Sequence, residues 1–297
     1  MTLPEIQGTF VGGTDVTGII FGGWNGGYRN VFYKYTVSST QVSISTLTRL
    51  GATISARSYG GIAGNVASGI IVGGWDGTAY NDSYKYSVAG GNITITTLTT
   101  TGTLPRQGVH TLVGDAVNGI IFGGQTQYPP NLNDFYRYSV SGNNLVTSTL
   151  TKAGSSISNR YGSSIAGTPT MGLVFGGRTG SGDRNDFYRY VVSGSTITLT
   201  RLTASGASVP AMYGAAIIGD GTDGLLIFGQ SGSTQQGKVF RYVVNNSAVV
   251  LTDVTLTGAV PTARSFVTVK GSVSSGIIYS GRAGSTEYNE FYSYTAS

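Results

Sequence analysis

A short apolar run ending in paired small residues recurs six times along the chain, and this repetition constrains the fold more than any other feature. The run reads GIIFGG in its first copy and returns about every 52 residues in a chain of 297 residues. Its copies occupy residues 18–23, 69–74, 119–124, 172–177, 225–230 and 276–281. Such a period is typical of architectures in which each repeated unit buries its apolar face against its neighbours.

Two further markers keep the same spacing, so the whole unit repeats. An aromatic segment follows each apolar run by about ten residues, as Phe32-Tyr33-Lys34-Tyr35 does in the first unit. Its later copies begin at residues 83, 135, 187, 239 and 291. A stretch that starts with Leu or Val and closes on Gly comes next, at residues 47–51, 98–102, 150–154, 202–206 and 254–258.

The composition favours strands over helices. The chain contains 47 Gly and only 10% charged residues, which suits many short strands joined by tight turns. Apolar runs such as Ile70-Ile71-Val72 predict strands buried on both faces, and alternation in the last strand of each unit predicts an outer strand. We therefore predict an all-β, six-bladed β-propeller that forms a single domain. The blades are expected at residues 4–51, 52–102, 103–154, 155–206, 207–258 and 259–297.

These markers resemble the kelch repeat, which combines a double glycine, an Asn-Asp pair, an aromatic strand and an early Arg. The double glycine is intact in four units. The polar pair appears as Asn81-Asp82, Asn133-Asp134, Asn185-Asp186 and Asn289-Glu290. The main departure is the Trp usual on the outer strand, since Leu or Val stands at residues 47, 98, 150, 202 and 254. The resemblance implies a kelch-like β-propeller.

The spacing of the markers predicts a sixth blade that lacks its outer strand. Kelch propellers usually complete the last blade with a strand from the other terminus. The closing glycine of a further unit would fall just before Met1 or beyond Ser297, so Met1–Leu3 would supply at most a stub. We expect an open edge around Tyr292 and Tyr294, and an open edge can accept a strand donated by another chain.

Several classes of site and partner are disfavoured by composition. The chain has no Cys and one His, His110, so we expect no cofactor and no transition-metal site. The net charge of +5 is spread through the repeats without a basic run, which predicts no nucleic-acid partner. No apolar stretch approaches the length of a membrane span, so we expect no membrane insertion.

An Arg near the start of the first strand in four units gives two alternatives. Because a propeller gathers equivalent positions around its axis, these residues are candidates for a channel site that binds an anion. The alternative is that each Arg binds loop carbonyls or the repeated acid of its own unit. The four residues are Arg57, Arg106, Arg160 and Arg264.

The loops between the second and third strands vary most, which makes them candidates for a ligand-binding surface. Aromatic rings beside carboxylates and guanidinium groups suit a carbohydrate, because a ring face packs on a sugar and polar groups bind its hydroxyls. The alternative is ordinary packing of the loops against adjacent blades. The candidates are Trp24, Tyr28, Arg29, Trp75, Asp76, Tyr80, Tyr128, Arg178, Arg184, Glu287 and Tyr288.

No catalytic group can be assigned from these patterns, and a non-catalytic recognition or structural module is the preferred interpretation. The Ser-, Thr-, Gly-, Asn- and Tyr-rich composition resembles phage or virus tail-fibre and appendage proteins. That resemblance implies a virion component for host attachment that binds a host-surface glycan or a neighbouring virion protein. The alternatives are a cytoplasmic kelch protein-interaction adaptor and a kelch enzyme of the sugar-isomerase kind.

Overall fold

Antiparallel sheets make up the regular structure of the protein. The computed structural model describes residues 10–14, 16–38, 41–104, 108, 110–126 and 131–295, and within these ranges there are strands and turns but no helix. Successive strands of one unit pair as neighbours, so each repeat of the sequence folds as a local antiparallel meander. We number the units 1 to 6 and the strands of each unit first to fourth.

The strand bounds follow the sequence markers. The first strands are Phe10–Gly13, Gly61–Gly64, Thr111–Gly114, Ser164–Gly167, Ala216–Gly219 and Thr268–Gly271. The second strands, which carry the apolar run, are Thr17–Phe21, Ser68–Val72, Asn118–Phe122, Met171–Phe175, Asp223–Ser231 and Ser275–Tyr279. The third strands, which carry the aromatic segment, are Phe32–Ser38, Ser83–Ala89, Phe135–Ser141, Phe187–Ser193, Thr234–Asn245 and Phe291–Thr295. The fourth strands described are Gln41–Thr46, Asn92–Thr97, Asn144–Thr149, Thr196–Gly206 and Ala248–Val254.

Short strands extend this pattern. Three strands follow a fourth strand directly, at Thr48–Gly51, Thr99–Gly102 and Thr151–Gly154. Two small hairpins lie in the loops after the second strands of units 4 and 6. They pair Arg178–Thr179 with Gly182–Asp183 and Arg282–Ala283 with Thr286–Glu287.

The sheets form a β-propeller. Each first strand lies at the edge of its sheet and contacts the first strand of the next unit. Thr268–Gly271 of unit 6 also contacts Phe10–Gly13 of unit 1, so the first strands form a closed ring around a channel. The hydrophobic core fills the spaces between adjacent sheets, as where Ile20 and Tyr35 of unit 1 pack with Ile277 of unit 6. The second strands are apolar on both faces because each is covered by a neighbouring sheet on either side.

Neighbouring units are also joined at the outer rim by parallel pairing. Thr48–Gly51, which follows the fourth strand of unit 1, pairs in parallel with Asn92–Thr97 of unit 2. The long strand Thr196–Gly206 pairs both within its own unit and with the next unit. Its first part pairs with the third strand of unit 4, and residues 203–206 pair in parallel with Ala248–Val254 of unit 5. Each joint of this kind adds to other backbone hydrogen bonds between units, such as that from the N–H of Gly177 to the carbonyl of Met212 at 2.9 Å.

A Tyr–Gly contact explains two of the sequence markers. The last Tyr of the aromatic segment lies over the first Gly of the apolar run, and at Gly172 an added Cβ would overlap the carbonyl of Ala166 and the ring of Tyr190. The hydroxyl of Tyr190 donates to the carbonyl of Thr168, 2.7 Å away, in the turn between the first two strands. The same bond recurs in every unit, from Tyr35, Tyr86, Tyr138, Tyr190, Tyr242 and Tyr294. The repeat therefore keeps both residues for one packing arrangement.

In the described part of the chain, the sheet of unit 6 has three strands. Its third strand, Phe291–Thr295, pairs with Ser275–Tyr279 and has no described strand on its other side. Tyr292 and Tyr294 lie on this edge strand, where the sequence predicted an open edge. The stub expected at Met1–Leu3 lies outside the described residues.

Candidate functional site

The loops between second and third strands share one end of the propeller with the segments that lead into the first strands. This follows from the antiparallel pairing, because the second strand of a unit ends where its first strand begins. We call this end the loop face and the other the far end. Nearly all site residues expected from the sequence lie on the loop face, which is built on a rigid ring of sheets.

The repeated arginines of units 2, 4 and 6 are buried within their own units. Arg160 is fully buried and donates to Asp186 at 2.6 and 3.1 Å, to the carbonyl of Gly176 at 2.9 Å and to the carbonyl of Ser158 at 3.1 Å. Arg57 is bound in the same way by the carboxylate of Asp82 and the carbonyl of Gly73.

Arg264 repeats this arrangement with Glu290 at 2.9 Å. None of Arg57, Arg160 and Arg264 lines either of the two channel cavities described below. The expectation that these three residues converge on a channel ligand is therefore corrected in favour of the alternative. Each guanidinium ties the loop after the second strand to the segment before the first.

Among the described residues, this pairing occurs in units 2, 4 and 6. Arg106 lies outside the described residues, and the acid of unit 3, Asp134, binds Lys152 at 2.8 Å on the surface. Ser58 of unit 2 and Gly108 of unit 3 form corresponding bridges to the loops that follow their second strands.

Two of the loop tyrosines cover buried arginines. The ring centroid of Tyr80 lies 3.9 Å from the guanidinium carbon of Arg57, and Tyr288 has the same distance to Arg264. Such stacking favours the charged guanidinium when it is removed from water. The hydroxyl of Tyr80 also donates to Asp76. Tyr80 and Tyr288 therefore have an evident structural role, although each keeps a partly exposed ring.

The loops of units 1 and 2 form an aromatic surface that we call the tryptophan patch, made of Trp24, Tyr28 and Trp75. The rings of Trp24 and Tyr28 meet edge to face with centroids 4.6 Å apart. Burial raises the pKa of Tyr28, although a hydrogen bond from Trp75 opposes the shift. All three side chains are partly exposed. Arg29 lies beside them and donates to the carbonyl of Asn25 at 2.9 Å.

The loop of unit 4 is held by polar contacts with its own hairpin and with unit 5. Arg178 lies 3.4 Å from Asp183, whose other oxygen accepts the backbone N–H of Gly232 at 2.7 Å. Arg184 donates to the hydroxyl of Ser181 at 2.6 Å. In unit 6, Glu287 faces Arg282 across the short hairpin. Tyr128 lies outside the described residues.

A second aromatic group was not foreseen from the sequence. It surrounds the channel opening on the loop face, and we call it the mouth cluster. Its members come from four units: Tyr59, Tyr161, Arg178, Tyr213, Phe266 and Arg282.

The mouth cluster is continuous. Phe266 meets Tyr59 at 5.3 Å and Tyr213 at 5.7 Å between ring centroids, both edge to face. The guanidinium of Arg282 lies 5.2 Å from the Phe266 ring, and that of Arg178 lies 5.0 Å from the Tyr213 ring. A cavity of about 210 Å³ opens among Tyr59, Phe266 and the starts of the first strands.

The backbone at this opening is strained. Tyr59 and Phe266 have φ angles of 55° and 56°, in the left-handed region that disfavours residues with a Cβ. The equivalent residues of units 4 and 5 are Gly162 and Gly214, which adopt a similar angle without that cost. An aromatic residue at a position suited to Gly is the sequence signal that was missed. Strain of this kind is concentrated at functional sites.

Burial and nearby positive charge have opposite effects on the pKa of a tyrosine in the mouth cluster. Burial raises the pKa of Tyr161, while Arg178 and Arg282 both act to lower it. Both guanidinium groups are partly exposed at the opening. The opening therefore presents aromatic edges together with two guanidinium groups, of which that of Arg178 lies 3.4 Å from Asp183.

Comparison with known proteins identifies the repeat. A family model described as the KLHDC2/KLHL20/DRC7 Kelch-repeats domain matches residues 63–266. The chain belongs to the kelch-repeat family. A solved structure titled "Structure of YjhT" superimposes on this kelch propeller with a TM-score of 0.73 over 99% of this chain and 96% of that one. The two are 12% identical in sequence, so the likeness concerns the fold alone. The search of curated proteins returns no match.

Kelch repeats generally form protein-interaction surfaces and are generally non-catalytic. Within the described ranges, no three His, Cys, Asp or Glu side chains come together in a way that would hold a metal ion. Over the same ranges, no helix has the length and apolar character needed to cross a membrane.

Proposed function

We propose that this kelch propeller is a non-catalytic recognition module and that the mouth cluster is its main binding surface for a protein partner. The observation that carries the proposal is the pair of strained aromatic residues, Tyr59 and Phe266, beside Arg178 and Arg282. Aromatic and Arg side chains dominate the binding energy of protein interfaces. Two partly exposed guanidinium groups favour a partner segment that carries carboxylates next to apolar residues.

Selection from a random peptide display library tests this proposal, because the natural partner need not be identified beforehand. Peptides selected on the wild-type protein should be enriched in Asp and Glu, and Phe266→Gly should weaken their binding at least about tenfold. Gly suits the local φ angle, so this variant should keep its stability to within about 1 kcal/mol. Val117→Ala, at an exposed position at the far end, is the matched control and should bind normally. Equal binding by Phe266→Gly and the wild type would contradict the proposal.

A carbohydrate is the second candidate ligand, and the tryptophan patch favours it. The partly exposed rings of Trp24, Tyr28 and Trp75 lie beside the polar side chains of Arg29 and Asp76. A glycan array probed with the wild type and with Trp24→Ala separates the two candidates, since only the glycan signal depends on this ring. Placement of the protein in a virion appendage stays a prediction from composition alone, and an isomerase-like activity stays an alternative that rests on the kelch resemblance.

The edge of unit 6 is a third element of the proposal. An apolar cavity of about 180 Å³ lies beside Phe291–Thr295, between Tyr292 and the segment around Leu256. In units 1 to 5 a fourth strand pairs with the third strand on this side. We propose that an extended segment of a partner chain pairs with this edge, because backbone donors and acceptors there have no described strand beside them.

A further inference from the structure

The far end of the channel contains a cavity that the proposed function does not use. Its volume is about 480 Å³, and it is lined by the last residues of all six first strands together with Thr14 and Ser272. Each first strand ends on a Gly, and the residue before that Gly is small or apolar in four units: Ala63, Val113, Ala166 and Ile218. In unit 6 the corresponding residue is Lys270. A single cationic side chain therefore interrupts an otherwise apolar ring of equivalent positions.

Lys270 is not neutralised by its surroundings. Among the described residues it has neither a hydrogen-bond partner nor an ion pair, whereas Lys152 binds Asp134 and Lys238 binds Asp253. Successive side chains of a strand lie on opposite faces of the sheet. Lys270 therefore lies on the face opposite to Val269, which packs in the core between units 5 and 6. Burial lowers the pKa of the Lys270 ammonium group. Lys270 is partly exposed and lines the cavity, where a ligand that supplies the opposite charge would compensate its ammonium group.

The walls of the cavity add polar groups that do not carry charge. Each first strand is the edge strand of its sheet, so backbone N–H and C=O groups along its inner side face the channel without a strand partner. Val113 and Ile218 contribute apolar surface at the level of Lys270. A volume in this range is typical of sites for small molecules.

We propose that the far end of the channel binds a small organic monocarboxylate, with the Lys270 ammonium group holding the carboxylate and the apolar walls holding a short alkyl chain. One negative charge matches the one positive charge present. A phosphate dianion would leave an excess negative charge in a site that has no second cation among the described lining residues. The site differs from the mouth cluster in position and in ligand, so either can fail without the other.

Sodium butyrate, with butyramide as its neutral counterpart, tests the proposal on the intact protein. Titration followed by NMR should show saturable butyrate binding, and butyramide should bind at least about tenfold more weakly. Lys270→Met retains a similar length without the charge, and it should weaken butyrate binding to the level of butyramide. Lys238→Met removes an exposed, paired lysine and is the matched control, with unchanged binding.

Reductive methylation of the wild-type protein gives a second readout that does not depend on a variant. Butyrate should slow the modification of Lys270, measured by mass spectrometry, at least about tenfold at saturation. The modification of Lys238 should be unaffected. Absence of saturable butyrate binding, equal binding of butyramide, equal binding by Lys270→Met, or unprotected Lys270 would each overturn the proposal.

Discussion

Replacement of Arg160 by Met measures what the buried arginine contributes to this fold. The substitution removes five hydrogen bonds from a fully buried guanidinium, two of them to Asp186. It also leaves the carboxylate of Asp186, whose side chain is only 10% exposed, without its cation. Breaking a buried ion pair on one side costs about 3–5 kcal/mol, because the remaining charge is uncompensated. We expect the free energy of unfolding of Arg160→Met to fall by that amount.

The repeat supplies matched comparisons in the same protein. Arg57→Met should cost less, because Asp82 is 30% exposed and keeps a hydrogen bond from Tyr84 at 2.9 Å. Arg264→Met should cost least, about 1–2 kcal/mol, because Glu290 is 47% exposed and returns to water. The expected order of destabilisation is therefore Arg160, then Arg57, then Arg264.

Urea denaturation followed by tryptophan fluorescence and circular dichroism measures these changes. The double variant Arg160→Met, Asp186→Asn should be less destabilised than the sum of its single variants, since the second change removes the orphaned charge. A loss below about 1 kcal/mol for Arg160→Met, or an equal loss in all three arginine variants, would refute the reasoning. Either result would favour the interpretation in which these arginines bind a ligand in the channel, which their burial and ion pairing now oppose.

Two further predictions concern the buried tyrosines and the open edge. Burial raises the pKa of Tyr84 and Tyr136 to about 12, and it raises that of Tyr86, Tyr138 and Tyr190 as well. The unfolded chain loses these protons near the ordinary pKa of 10, whereas the folded chain keeps them to higher pH. The free energy of unfolding should therefore be constant below pH 10 and fall above it. Urea titrations from pH 8 to 11 measure this, and a constant free energy of unfolding over that range would contradict the prediction. For the edge, a peptide with the sequence of Thr196–Gly206 should bind one-to-one and raise the melting temperature. A version with Pro at alternate positions should not, and equal effects of the two peptides would exclude strand addition.

The fold could be predicted from the sequence because the residues of the same packing arrangement recur six times along the chain. Gly172 and Tyr190 illustrate this, since one contact requires both residues and every unit carries its equivalent pair. Contacts of this kind join residues within about fifty positions of each other in the chain. The alternation of apolar residues in strands and the turn residues between them therefore indicate these contacts directly. The departures from the repeat were harder to interpret. Tyr59 and Phe266 stand where units 4 and 5 have Gly162 and Gly214, and what these aromatic residues contact depends on other units.

The functional surfaces depended on contacts between units. The sequence correctly indicated partly exposed loop residues such as Trp24 and Trp75. It had no means of recognising that Tyr80 and Tyr288 cover buried arginines, because that depends on how each loop folds back on its own unit. The mouth cluster was missed for a similar reason. Its members come from four units of the chain, and these units meet only around the channel.

By itself, the sequence determined the strand order, the buried apolar runs, the aromatic strands and membership of a repeat architecture, because these follow from local periodicity and from turn residues. Only the tertiary structure decided which repeated residues support the fold and which ones face a cavity. Closure of the ring brings Tyr59 of unit 2 against Phe266 of unit 6 and turns Lys270 towards the far end of the channel. Whether an aromatic ring or a charge stabilises the fold or binds a ligand depends on the groups that surround it. Those surroundings come from distant units that no local pattern in the sequence describes.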